Sequence, residues 1–180
     1  GAGIVIHGSL YQGDDGCAGE IGHWVVVPKG GELCRCGNHG CLETVASAQA
    51  ILKKAKDRIA DYPDSKISHD PARIDLENIK TAFDEQDDLA RLLVFDTAKY
   101  IGMAIAYLVS TLNIQKIVLV GDMTSFGDKW LEAICLSMMK YSLNKPLQNT
   151  QITIGQSGEN SIILGVTAML ANNFSLLFTK

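Results

Sequence analysis

Cys34-Arg35-Cys36-Gly37-Asn38-His39-Gly40-Cys41 is a C-x-C-x4-C knuckle, followed directly by Leu42-Glu43 and preceded by Gly19-Glu20-Ile21-Gly22-His23. Thiolates one residue apart can face a single ion when the backbone turns tightly, and Gly37 and Gly40 make that turn cheap. Three thiolates leave one corner of a zinc tetrahedron open. His39 and His23 are the candidates for that corner. A side chain inside so short a loop is usually prevented from turning inward, whereas His23 approaches from a preceding segment and is preferred. The expected ligand set is therefore His23, Cys34, Cys36 and Cys41, a closed site of structural rather than catalytic zinc. The alternative is free buried cysteines in an ordinary loop. The stretch from Glu32 to Gly40 holds few large apolar residues, so without a metal it lacks any staple. Cys17 and Cys135 stand apart and read as packing residues.

Outward from the knuckle, the two motifs and their spacing resemble the signature of the ROK family (repressors, open reading frames and kinases). The lead-in Gly3-Ile4-Val5-Ile6-His7-Gly8-Ser9-Leu10-Tyr11-Gln12-Gly13 is similar to the same family, and the rest of the chain follows it more loosely but in order. The resemblance implies a ribonuclease-H-like, actin-type ATPase fold of two lobes with sugar bound between them. It implies that this chain is the C-terminal lobe (1–180, with the zinc-binding loop at 23–41). It also implies that Glu20, His23 and Glu43 line the sugar site. The chemistry agrees, since a carboxylate can accept hydrogen bonds from two sugar hydroxyls at once. The plainer readings are a solvated loop acid for Glu20 and a helix N-terminal acid for Glu43.

The pattern of the remaining chain supports a mixed α/β lobe. Gly3–His7 and Leu10–Tyr11 flank Gly8-Ser9 as a hairpin, and His23–Val27 reads as a short strand. A helix beginning at Leu42 carries Val45, Ala48, Ile51, Leu52 and Ala55 on one face, and Tyr62-Pro63-Asp64-Ser65 ends it. A short helix is expected over Leu76–Phe83 and a long one over Asp88–Leu112, stopped at Asn113. Lys116–Val120 is a continuous apolar run, suited to a strand buried on both faces. An amphipathic helix over Gly127–Tyr141, a strand at Ile152–Ile154 and a final helix over Ser161–Leu177 complete the order, which implies a parallel or mixed sheet covered by helices.

Composition sets limits on function. With 180 residues, 47% hydrophobic and 20% charged, the chain is ordinary globular protein, and a formal charge of −4 advertises no nucleic-acid surface. Asp96 and Lys99 interrupt the most apolar stretch, leaving too short a clean run to span a bilayer. No targeting segment is visible, and the glycine-spaced cysteines fit a cytoplasmic metal site rather than a disulfide framework. Gly1-Ala2-Gly3-Ile4-Val5-Ile6 reads as a strand already under way, so the chain is expected to be part of a longer protein whose N-terminal lobe, and any DNA-binding domain, lies outside it.

The phosphate loop and catalytic Asp that the family's kinases carry in their first half have no counterpart here, so no catalytic residue is assigned. Where those kinases are glycine-rich beside the nucleotide, this chain reads Gly121-Asp122-Met123-Thr124. Asp122 would bring bulk and negative charge to that place, or serve as a turn residue. The expected function is the effector-binding half of a sugar-responsive transcriptional repressor, with structural zinc and a homodimeric parent that contacts operator DNA elsewhere. The rival is the C-terminal lobe of an ATP-dependent sugar kinase, with ATP and magnesium as cofactors. A zinc-stapled interaction module without a ligand is the plainest reading.

Overall fold

The computed structural model describes residues 1–142, 149–155 and 161–178. Two strands, β1 (Ile4–Ile6) and β2 (Ser9–Tyr11), form an antiparallel hairpin. The turn is centred on His7-Gly8 rather than Gly8-Ser9: φ is 52° at His7 and 79° at Gly8. Positive φ at both central residues suits the right-handed twist of a two-residue hairpin.

The core is built around α4 (Asp88–Leu112), with α1 (Leu42–Ala46), α2 (Ala48–Arg58), α3 (Leu76–Asp84) and α5 (Gly127–Tyr141) against it. The limits of α4 come from its ends. The buried Asp87 carboxylate accepts from Ala90 N at 2.8 Å, and also from Lys66 N at 2.7 Å and Ser65 Oγ at 3.1 Å, so one N-cap also fastens the preceding loop. At the other end Asn113 adopts the left-handed conformation (φ 50°) and its N–H donates to Val109 O. By length and composition α4 could cross a membrane, but 61% of its most apolar window is buried inside the protein, as in a core helix. Its buried Thr97 hydroxyl donates to Val94 O and accepts from the Trp130 indole N–H at 3.1 Å.

Helices α4 and α5 approach closely at Gly102. A Cβ there would lie 2.5 Å from Ile134 O and 2.9 Å from Met138 N, both backbone atoms that cannot rotate away. Gly102→Ala is therefore expected to destabilise the fold by about 1–3 kcal/mol despite the better helix propensity of alanine. Urea denaturation of the pair measures it, and unchanged stability would mean the two helices slide apart freely.

The helix expected to run on from Leu42 is broken at Ser47, whose extended backbone (ψ 165°) separates α1 from α2. Its hydroxyl accepts from Ala50 N at 3.1 Å and caps α2. The break lets α1 pack Leu42, Val45 and Ala46 against Met103 and Ala104 of α4, with Val26. Meanwhile α2 contributes Ile51 and Ala55 to the main core.

Strands β3 (Lys116–Leu119) and β4 (Gln151–Ile154) pair in parallel, Ile117 opposite Ile152. Ile117 and Leu119 pack on the main core, but Val118 and Val120 are 47% and 61% exposed. The expectation of a strand buried on both faces is corrected accordingly. Helix α6 (Ser161–Phe178) likewise leaves Ile163, Leu164, Val166, Met169 and Leu170 exposed. Of Gly155-Gln156-Ser157-Gly158, a stretch to which the sequence assigns no role, all but Gly155 lie outside the described residues.

Candidate metal centre and ligand site

His23, Cys34, Cys36 and Cys41 converge. Their ligand atoms all lie within 4.8 Å of one another. Cys34 Sγ is 3.5 Å from His23 Nδ1, and Cys36 Sγ is 3.6 Å from Cys41 Sγ. A tetrahedral zinc with ordinary bond lengths sets its sulfur and nitrogen ligands about 3.6–3.8 Å apart. These two pairs therefore match the edges of such a tetrahedron, and the cluster can hold a metal ion.

The knuckle reaches this shape through its backbone. Cys34 N donates to Asn38 O and Gly37 N to Cys34 O, closing the turn that carries the first two thiols. Leu33 and His39 bridge as an antiparallel pair, and Val25 pairs with Cys41. Val26 N and Val27 N both donate to Gly40 O, which lashes the knuckle to the segment after His23. At Gly40 (φ 72°) a Cβ would lie 1.9 Å from Val27 O, so only glycine allows this approach. His39 is turned away: its Nδ1 sits 3.1 Å from Gly31 O, in keeping with the preference for His23.

The thiols differ in their surroundings. Cys34 and Cys41 are buried, and Cys36 is at the exposed lip. Burial pushes the Cys41 thiol up to about 12, with hydrogen bonds to Cys36 and Cys34 and the charges of those thiols adding to the rise. The Cys36 thiol is lowered, chiefly because the Asn38 backbone N–H stabilises its thiolate. Crowding of this kind costs free energy among thiolates alone and is relieved by a cation in their midst. Of the other cysteines, Cys17 is exposed rather than packed. Cys135 is partly buried, and desolvation raises its thiol.

His23 does not lie on a strand, as its apolar neighbours suggested, but ends a 3-10 turn, Ile21–His23. Residues three apart eclipse in that geometry. The Glu20 carboxylate accordingly stands 3.8 Å from His23 Nε2, while Nδ1 faces the thiols. One imidazole thus presents one nitrogen to the metal cluster and the other to a carboxylate. Glu43, in the first turn of α1, lies against the same turn: its Oε2 is 3.7 Å from where a Gly22 Cβ would stand. Glu20 is well exposed, while His23 and Glu43 are about one-third exposed, so all three are open to a polar ligand. Glu20 also edges a 290 Å³ pocket with Ile4, Cys17, Trp24 and Leu108.

Sequence reasoning missed two contacts of the knuckle. Arg35 grips Glu43 through Nε to Oε1 and a terminal nitrogen to Oε2, both at 2.9 Å. Lys53 of α2 reaches Glu32 at 2.5 Å. Neither pair lies within a single helix or strand, so only the folded knuckle reveals them.

A knuckle of this spacing, its upstream histidine and a carboxylate on either side define a class, and the chain belongs to the ROK family, whose sequence profile matches residues 1–173. Its relatives include both sugar kinases and DNA-binding regulators. A glucokinase of Halalkalibacterium halodurans is 36% identical over 168 residues, 92% of this chain and 51% of that protein. The DNA-binding transcriptional dual regulator NagC of Escherichia coli is 33% identical over 157 residues, 84% of this chain and 38% of the regulator. A crystal structure of a ROK family glucokinase from Streptomyces griseus, in complex with glucose and AMPPNP, aligns with a TM-score of 0.79 at 28% identity, covering 88% of this chain and 53% of that one. The chain therefore spans about half the length, or less, of the relatives it matches.

Proposed function

We propose that this chain is the C-terminal lobe of a two-lobed, actin-type ROK protein, that the Cys3His cluster holds a structural zinc, and that Glu20, His23 and Glu43 bind a sugar. The observation that carries the ligand site is the shared imidazole of His23, with Cys34 Sγ 3.5 Å from one ring nitrogen and Glu20 3.8 Å from the other. Zinc fits the thiolate-rich donor set and its closed, four-ligand arrangement. Bound there, zinc would hold the knuckle against the Ile21–His23 turn and so fix the bearing of His23 beside Glu20. The carboxylates accept hydrogen bonds from adjacent sugar hydroxyls, the natural fit of a two-oxygen acceptor to a diol.

For the whole protein we favour a sugar-responsive transcriptional repressor, acting in the cytoplasm as a homodimer and contacting operator DNA outside this chain. Asp122 supports this reading. It stands exposed just past the C-terminal end of β3, at the head of the 3-10 turn Asp122–Phe126. The carboxyl ends of parallel strands are where α/β sheets usually take ligands, and a carboxylate there repels nucleotide phosphates. The kinase reading keeps its own support in the 36% identity to a glucokinase. On the intact protein, a sugar-dependent change in operator affinity without ATP consumption is the expected result. ATP-dependent phosphorylation of a sugar at ordinary kinase rates would replace the repressor with the kinase.

A further inference from the structure

We propose that Arg35 is a positioning residue for sugar binding, acting through its two-pronged grip on Glu43. The inference rests on the reading of Glu43 as a sugar-binding carboxylate. Arg35 lies between two of the four clustered ligand residues, Cys34 and Cys36, on a turn closed by Cys34 N to Asn38 O and Gly37 N to Cys34 O. Its guanidinium meets both Glu43 oxygens at 2.9 Å. Two parallel contacts fix the plane of the carboxylate as well as its place, which a single contact does not.

The pair adds little to stability, because Arg35 is 77% exposed and solvent screens the attraction. Its effect is on direction. A carboxylate in the first turn of a five-residue helix, free of Arg35, would sweep through several rotamers. Held by the fork, it still offers its remaining lone pairs to sugar hydroxyls. Glu43 Oε2 also lies near the backbone of Gly22, between Glu20 and His23, so a shift of this carboxylate alters the space beside that pair. Arg35 thus links the turn that carries Cys34 and Cys36 to the Glu43 carboxylate. Lysine does not substitute for it, since an ammonium is a point charge without the planar fork.

The test is calorimetry on the intact protein with D-glucose, D-xylose and N-acetyl-D-glucosamine, together with zinc content and melting temperature of each variant. Arg35→Gln is expected to lower affinity for the sugar that binds by about tenfold, with Arg35→Lys recovering only part of it. Zinc content and melting temperature should not change. Glu43→Gln should lower affinity too, and adding Arg35→Gln to it should cost nothing further, because the two act as one unit. Full affinity in Arg35→Gln beside a loss in Glu43→Gln overturns the positioning role. Tighter binding in Arg35→Gln overturns it as well, making Arg35 a competitor for the carboxylate. Loss of zinc along with affinity in Arg35→Gln would make the grip structural. Unchanged affinity in Glu43→Gln beside a loss in Glu20→Ala removes Glu43 from the site. No sugar bound by the unaltered protein refutes the sugar reading itself.

Discussion

With zinc in the proposed site, a chelator should free the segment from Gly31 to Leu42 while leaving the packing of α4 on α5 in place. Apart from backbone hydrogen bonds and two surface ion pairs, little apolar packing holds the segment: Leu33 is 66% exposed, and the buried side chains ahead of Leu42 are Cys34 and Cys41. Structural zinc contributes on the order of 10 kcal/mol to small metal-dependent domains. The main core, with Phe83, Leu93, Trp130 and Ile134, is a separate cluster from the one that seats the knuckle on Met103 and Ala104. Hydrogen exchange should therefore rise steeply across the knuckle, moderately at Val26 and Val45, and little in α4. Cys41→Ser and Cys36→Ser should reproduce the effect, and Cys135→Ser should not.

Acid should weaken zinc uptake, because three thiolates and a neutral imidazole are required. Without metal the Cys41 thiol, raised to about 12, carries its proton at neutral pH. Zinc must displace that proton, so affinity rises with pH and falls as protons compete. X-ray absorption on metal-quantified protein should find about one zinc per chain with three sulfurs and one nitrogen. Metal-free protein with an equally protected knuckle would remove the zinc proposal, and a four-sulfur shell would remove His23 from it.

The sequence was most informative where local chemistry and tertiary structure agree. The bounds of α4 could be read from a run of apolar residues at helical spacing and an Asn able to turn left-handed at 113, whereas the Asp87 N-cap appears only in the fold. The cysteine cluster could be read from spacing and glycine alone. The break at Ser47 could not, since Ala48, Ile51 and Ala55 continue the apolar period of Val45. What interrupts the helix is the need for α1 and α2 to seat against different parts of α4. The strand expected at His23–Val27 failed for a similar reason. Its apolar residues do not pair along a ladder but bridge at Val25 to Cys41, leaving Ile21–His23 free to coil. That error concerned the site directly, because the 3-10 turn, not a strand, aligns Glu20 with His23. A strand would have sent side chains three apart to opposite faces. The exposed side of β3 had no sequence signal either. Alternate residues there are as apolar as those on the core.

Glu20→Ala should abolish the sugar response of the intact protein while leaving its zinc and its fold untouched, whereas His23→Ala should damage all three. The difference follows from geometry. Glu20 is largely exposed and stands 3.8 Å from His23 Nε2, beyond hydrogen-bond length, so its removal strips no ligand from the cluster and opens no cavity. His23 turns Nδ1 toward the cysteine cluster and Nε2 toward the carboxylate, so its loss would empty a corner of the proposed tetrahedron and one wall of the proposed sugar site together. Affinity should fall by about a hundredfold or more for Glu20→Ala, the loss expected when a charged acceptor of two hydroxyls disappears. A sensor responds only if its ligand binds two conformations with different affinity. His23 offers a physical route for that difference, because a sugar pulling on Glu20 and the imidazole bears on the same knuckle that Val26 and Val27 lash to Gly40. Calorimetry with the three sugars, run beside operator-binding assays and zinc quantification, separates the outcomes. Sugar affinity unchanged in Glu20→Ala would place the ligand elsewhere. Sugar affinity lost in Glu20→Ala with operator binding insensitive to sugar throughout would leave a sugar site that reports to something other than DNA.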